Sequence, residues 1–258
     1  MFGVPELQAF VQKARSVNTA EELFGHMADV TRALGFDYFA LAHHIDVKPH
    51  GQFTGQILKQ GSVVLTNYPQ AWADIYVAEN IVKFDPVLLA AQRTNVGFLW
   101  KHMDQIIPVT DLHRKLFDRA RKLGIGDGFT VPANVPGEFS GSCSFAVTPT
   151  HEIVRANLPM TQLVGSFAFG AARKLASHQS PQTGPTEPVK LTERQLQCVA
   201  LIARGKTDWE IGQLLGISEE TVKQHIAEAR SRYGVAKRVQ LVIWALFDGA
   251  LPLSEMLG

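Results

Sequence analysis

Tyr68, Trp72 and Tyr76 recur at four-residue intervals in the run NYPQAWADIYVAENIVKFDPV, which also holds Asp85, and Trp100 follows nearby. A phenol O–H or an indole N–H donates to carbonyl oxygens, and an ionised carboxylate accepts an amide N–H. This set suits recognition of a polar amide carried on an apolar tail. If the stretch is helical, the three aromatics share a face and Pro69 fits the first turn. On spacing alone, such an aromatic stripe is more often core than binding wall.

A second group has different chemistry. From Thr221 to Arg238, Lys223, Arg230, Arg232, Lys237 and Arg238 face a single acid, Glu228, for a local net charge of +4, whereas the whole chain carries +1. Basic side chains gathered on one helix and the segment behind it form the electrostatic footprint of phosphate binding. A helical bundle that is merely basic is the competing reading.

The elements that position this basic group are legible from their ends. Thr192, Thr207 and Ser218 each open a helix, and Thr192 with Gln195 and Thr207 with Glu210 have the spacing of capping boxes. Ser218 precedes Glu219 and Glu220, two carboxylates placed where the helix dipole favours them. Gly216 ends the middle helix, so a tight helix-turn-helix is predicted. In the last of the three, Val222, Ile226, Ala229 and Tyr233 make the buried stripe and leave Lys223, Gln224, Ala227, Arg230 and Ser231 outside.

The stretch LTERQLQCVALIARGKTDWEIGQLLGISEETVKQHIAEARSRYGV, with a fourth helix at Lys237 to Phe247, resembles the C-terminal DNA-binding domain of the LuxR (GerE-like) family of transcription regulators. Two positions depart from the family pattern: Gln195 stands where Glu is usual and Val199 where Leu is usual. The resemblance implies that Lys223 and Gln224 face base edges in the major groove, with Thr221, Arg230 and Arg232 nearer the phosphates. Trp209 is assigned mixed use between core and DNA backbone. The fourth helix carries more apolar surface than one small domain needs, which suits dimer contacts or plain core.

Upstream, 46% hydrophobic residues in 258 are enough to bury two cores and exclude disorder as a class. Residues 1 to 187 hold 16 basic and 16 acidic side chains, so they have no net pull toward nucleic acid. Cys143 and Cys198 are the only cysteines, which argues against a disulfide framework and fits a reducing cytoplasm. Neither an export signal nor an apolar run of membrane length is visible. The run SHQSPQTGPTEPV, Ser177 to Val189, reads as a linker because its three prolines forbid a continuous helix.

Before that linker, helices are predicted at Thr19 to Leu34, Asp111 to Leu123 and Thr161 to Ala176, and strands at Phe36 to Ile45 and Ser142 to Val147. GIGDGFTV, Gly124 to Val131, reads as a helix end followed by a strand. The expected fold class is α/β: an α-β-α sandwich that binds a ligand between sheet and one helical layer, followed by a small all-α four-helix helix-turn-helix domain. The expected domains are 1–176 and 190–258, joined by a linker at 177–189.

The aromatic segment also resembles the N-terminal autoinducer-binding domain of quorum-sensing LuxR-type regulators, and two family matches in the right order favour a binding wall over plain core. The resemblance implies that Trp72 donates to a lactone carbonyl, Asp85 accepts the ligand amide N–H and Tyr68 bonds the acyl carbonyl. Tyr76 and Trp100 match aromatic walls, and Ser144 a pocket Ser or Thr on a central strand. Pro86 and Gly128 match backbone landmarks. Members that prefer 3-oxo chains carry polar residues where Ala73 and Val87 stand, so an unsubstituted, branched or aryl acyl group is expected at this site. Asp46 to Gly61 looks like a long loop at the pocket mouth, a place for tail selectivity.

The function expected from both resemblances is an acyl-homoserine-lactone-responsive cytoplasmic transcription activator, dimeric on palindromic double-stranded DNA, with RNA polymerase as a further partner. No cofactor, metal, membrane or catalytic role is expected. A solitary regulator answering another small molecule or none, and a lactone-degrading enzyme, are the rival readings. His43 and His44 are adjacent and point to opposite strand faces, which disfavours a metal pair. Cys143 lacks any activating motif and reads as an inert buried thiol.

Overall fold

The computed structural model describes residues 2–44, 56–59, 62–135, 140–179, 189–252 and 254. These fall into two compact units, one drawn from Met1–Asn134 and Phe139–Pro181 and the other holding Gln182–Gly258.

The first unit begins with helices α1 (Val4–Ser16) and α2 (Ala20–Ala33). Thr19 caps α2 by accepting from the Glu22 N–H. Strands β1 (Tyr38–His43), β2 (Gln56–Lys59) and β3 (Ser62–Thr66) come next, then α3 (Gln70–Ala78) and α4 (Pro86–Ala91). The short β4 (Phe98–Leu99) leads into a 3-10 segment at Trp100–Gln105, followed by α5 (Asp111–Lys122), β5 (Gly128–Ala133), β6 (Gly141–Ala146) and α6 (Leu158–Gln179). Among the described residues the strands form one sheet in the order β2-β3-β1-β6-β5-β4, with every pair antiparallel.

Successive strand residues point to opposite faces, and the sequence uses the two faces differently. Phe39, Leu41, Val131, Cys143 and Phe145 face one side and join Phe10, Leu23, Met27, Val164 and Phe169 of α1, α2 and α6 in the larger core. The other side carries small or hydroxyl residues: Ala40 stands opposite Thr66 and Ser144, and Ala42 opposite Val64 and Ser142. Over it lies a second cluster containing Trp72, Ile81, Val87, Trp100, Met103 and Leu116. The two clusters sandwich the sheet between helical layers, as the alternation predicts.

Gly128 is fixed by close approach. A Cβ there would lie 2.5 Å from Trp100 Cε2 and 2.8 Å from the Phe145 carbonyl oxygen. Glycine is therefore the residue that lets the indole lie flat against β5.

Three expectations need revision. Helix α3 starts at Gln70 with Pro69 as its N-cap, so Tyr68 lies before the helix and does not share its face with Trp72 and Tyr76. Proline disfavours helical backbone in the residue before it, which explains the exclusion. Within Asp46 to Gly61, Gln56–Lys59 is a strand rather than loop, and 46–55, 60 and 61 lie outside the described residues. Of the expected linker at 177–189, Ser177–Gln179 completes α6, and 180–188 lie outside the described residues.

The second unit is helical: α7 (Glu193–Ala203), α8 (Asp208–Leu215), α9 (Glu219–Tyr233) and α10 (Arg238–Phe247). Thr192, Thr207 and Ser218 are its N-caps, and Gly216 ends α8 at φ 67°, the left-handed conformation. Cys198, Ile211, Val222, Ile226, Ala229, Leu241 and Ala245 form its core.

Candidate ligand pocket and nucleic-acid interface

A cavity of about 160 Å³ lies between the small-residue face of the sheet and α3, α4 and α5. At about 10–15 Å³ per water on this scale, it holds on the order of ten water-sized groups. Tyr68, Trp72, Tyr76, Asp85, Val87, Trp100 and Ser144 all line it, so the seven residues singled out in the sequence come together.

Asp85 is organised by the start of α4. Its Oδ1 accepts the Val87 N–H at 2.8 Å as the N-cap, and its Oδ2 accepts the Tyr76 O–H at 2.7 Å. Burial holds its pKa above the ordinary carboxylate value, although the Tyr76 and backbone hydrogen bonds pull the other way. A carboxylate has about four acceptor positions, and with Tyr76 and the Val87 and Leu88 backbone N–H groups accepted, one remains for a further N–H. Trp72 stands edge-on to Tyr76 with ring centroids 5.9 Å apart.

Tyr68 meets Tyr38 edge to face at 6.0 Å. Its hydroxyl oxygen is buried without a hydrogen-bond partner among the described residues. Burial first, then the charge of Asp85, pushes the phenol's pKa far up, so it stays a donor. An orphaned buried hydroxyl costs about 1–3 kcal/mol, a deficit that a bound acceptor removes.

Trp100 is a wall with its polar tip already committed: Nε1 donates to Thr130 Oγ1 at 2.9 Å, and Thr130 Oγ1 lies 2.8 Å from Ser144 Oγ. When the Thr130 O–H donates to Ser144 Oγ, the Ser144 O–H is left to donate to a ligand. The sequence reading missed Thr130, His44 and Ser142, although period-2 alternation from Ala40 brings His44 onto the same face and the sheet register sets Ser142 opposite Ala42.

In the helical unit, Lys223 and Gln224 are exposed on α9, as the stripe requires. Both are engaged along their own helix: Lys223 Nζ lies 2.8 Å from Glu219, and Gln224 Nε2 donates to Glu228 at 3.1 Å. The Glu219 carboxylate raises the pKa of Lys223. Thr221 sits in the first turn, where its N–H donates to Ser218 Oγ at 3.1 Å. Arg230 is half-buried and donates to the Ala236 carbonyl at 2.7 Å, whereas Arg232 is exposed and donates to the Lys190 carbonyl. Arg230 thus anchors the turn after α9 and offers less to a phosphate than Arg232.

Trp209 is 62% exposed and Val239, Ile243 and Trp244 of α10 lie on the surface, so these apolar groups are not core. Gln195 is 1% exposed. Its Oε1 accepts the Thr192 N–H at 3.0 Å while its Nε2 donates to Glu228 at 3.0 Å. Glutamine therefore does two jobs, where glutamate keeps only the first and sets a second carboxylate against Glu228. Gln195→Glu is expected to lower the stability of the full chain by about 1–3 kcal/mol in chemical denaturation. A carboxyl buried beside Glu228 is expected to favour its protonated form, so the loss is expected to be largest at neutral pH and to shrink in acid. Equal stability of the two proteins at neutral pH would refute the donated bond.

Two families match the chain: the autoinducer binding domain over residues 19–172, and the bacterial regulatory proteins of the luxR family over residues 189–245. A putative HTH-type transcriptional regulator of Sinorhizobium fredii is 29% identical over 199 residues, covering 76% of this chain but only 59% of that protein. The transcriptional activator protein LuxR of Aliivibrio fischeri is 23% identical over 249 residues, covering 93% of this chain and 92% of its own length. Among solved structures, Escherichia coli SdiA has a TM-score of 0.64 at 24% identity, with 94% of this chain and 96% of that one covered, a likeness of fold. With a cavity built on the autoinducer-binding fold and a capped helix-turn-helix following it in the sequence, this chain belongs to the LuxR family of bacterial transcription regulators.

Proposed function

We propose that the chain is a cytoplasmic acyl-homoserine-lactone receptor that binds a palindromic promoter site as a homodimer and activates transcription through RNA polymerase. The observation that carries the ligand reading is one cavity lined by both Tyr68, whose buried hydroxyl has no hydrogen-bond partner among the described residues, and Asp85, which keeps an acceptor position. In this reading Trp72 donates to the lactone carbonyl, Asp85 accepts the amide N–H, and Tyr68 and Ser144 donate to the acyl carbonyl. Tyr76, Val87 and Trp100 close around them, and the apolar Ala73 and Val87 suit a chain without a 3-oxo group.

The ligand-binding domain is assigned to the residues up to Gln179, where α6 ends, and the DNA-binding domain to 190–258. Lys223 and Gln224 read bases, with Thr221, Arg230 and Arg232 toward phosphates. A symmetric dimer sets its half-sites about 10 base pairs apart or a multiple of that. The exposed apolar residues of α10 suit the dimer contact.

The test is expression of the full chain with a panel of acyl-homoserine lactones, followed by identification of what co-purifies. Intact lactone at one per chain supports a receptor; hydrolysed product supports the enzyme reading, and an empty yet DNA-binding protein supports ligand independence. Trp72→Phe keeps an aromatic ring and removes one donor. It is expected to weaken lactone binding by about 1–3 kcal/mol in calorimetry. Unchanged affinity would remove Trp72 from the lactone carbonyl.

A further inference from the structure

The cavity-facing side of β1 continues beyond the head-group residues. Ala40 and Ala42 lie on it, and His44 follows at the next position of the same alternation. His44 lines the cavity together with Ser142, the β6 residue opposite Ala42. From the Ala40 and Ser144 row to His44 is four residues, about 13 Å of strand. Ala42 and Val64, paired across β1 and β3, supply the apolar surface in between.

His44 and Ser142 are polar groups in an otherwise apolar stretch, and their hydrogen bonding is incomplete. The His44 Nε2 lies 2.9 Å from Ser142 Oγ. Its Nδ1 is buried with no hydrogen-bond partner among the described residues. Burial, with a smaller contribution from His43, pushes the imidazole pKa down to about 4, so the ring is neutral at physiological pH with one N–H and one lone pair.

Both tautomers lead to the same requirement. With the proton on Nε2, His44 donates to Ser142, leaving the serine O–H as a free donor and Nδ1 as a free acceptor. With the proton on Nδ1, the serine donates to Nε2, leaving Nδ1–H as the donor and the serine lone pairs as the acceptor. Each state leaves one donor and one acceptor unfilled, and a hydroxyl group supplies a match for both. A methyl group supplies neither.

We propose that His44 and Ser142 form a distal polar subsite that selects an acyl chain ending in a hydroxyl group. The proposal rests on the acyl-homoserine-lactone reading of the head-group residues and adds the chemistry of the other end of the ligand.

Calorimetric titration of the full-length chain with acyl-homoserine lactones in matched pairs, one ending in a hydroxyl and one in a methyl, across a series of chain lengths, tests it. At the length that reaches His44, the hydroxyl-ended ligand is expected to bind about tenfold tighter. Ser142→Ala and His44→Phe are each expected to erase that preference while retaining the methyl-ended ligand. Binding of the methyl-ended series with no hydroxyl preference at any length overturns the subsite and leaves the head-group reading intact. A preference that survives in both variants also overturns it. Failure of every lactone to bind overturns the head-group reading itself and the subsite with it. The wild-type comparison decides the matter even where a variant does not fold.

Discussion

Asp85→Ala is expected to lower acyl-homoserine-lactone affinity on the order of 100-fold. The variant removes a charged acceptor from the ligand amide, worth about 1.5–3 kcal/mol, and strands the Tyr76 hydroxyl that now donates to it at 2.7 Å. It also uncaps α4, at about 1 kcal/mol of folding stability, because Oδ1 no longer accepts the Val87 N–H. Two measurements separate these losses: calorimetry for the ligand and thermal unfolding of the ligand-free chain for the cap. Asp85→Asn keeps an acceptor at the cap and gives a smaller loss of affinity.

The pH dependence follows from the same carboxylate. Its folded pKa lies above the ordinary value because of burial, so the ligand-free protein favours the protonated form more than a solvated carboxylate does. A ligand N–H stabilises the ionised form. Affinity is therefore expected to be full above the raised pKa and to fall as pH drops through it, a dependence that Asp85→Asn flattens. An identical pH profile in both proteins would place the amide elsewhere.

The second large effect is on DNA. Replacing Lys223 and Gln224 together by Ala is expected to weaken specific DNA binding on the order of 100-fold, since each base contact contributes a factor of about 10. Both side chains lie outside the buried stripe of Val222, Ile226 and Ala229, so thermal unfolding stays unchanged. Arg232→Ala removes a positive charge near the phosphates and weakens all duplexes alike, lowering the salt dependence by about one counterion. Gel-shift titration on a duplex enriched from a random pool, against a scrambled one, distinguishes these outcomes. Retained discrimination in the double variant would move base reading to other residues.

Much of the second unit was legible because its helix ends are written in side chains. Thr192, Thr207 and Ser218 each accept from the backbone N–H three residues on, the interaction their sequence spacing predicts. Helix α2 was legible from the helical spacing of Leu23, Phe24, Met27 and Val30, and β1 from a short apolar run. Helix α1 escaped because its cap is Gly3, which has no side chain to announce it; Glu6 completes the cap by accepting the Gly3 N–H at 3.0 Å. Strands β2 and β3 pair from Gln56 with Leu65 to Lys59 with Ser62, a hairpin with only two intervening residues. Reading the whole stretch as a loop hid it.

In the pocket, residue types were more legible than their partners. Asp85, Tyr76 and Trp72 stood out in one dimension, whereas the Trp100, Thr130 and Ser144 chain spans three distant segments joined only by strand register. The side chains of His43 and His44 meet different partners: His43 packs edge-on against Phe169 of α6 with centroids 5.1 Å apart, while His44 Nε2 lies 2.9 Å from Ser142 Oγ.

Gly128 carries a consequence for anyone sorting variants of this protein by contact. It is absent from the lining of the cavity, and it has no side chain to touch a ligand. Yet a single added carbon would collide with the ring of Trp100, which does line the cavity. The depth of the binding chamber is thus set from behind its wall, by a missing methyl group, and a mutation there would look like a change of ligand preference although no contact residue had altered.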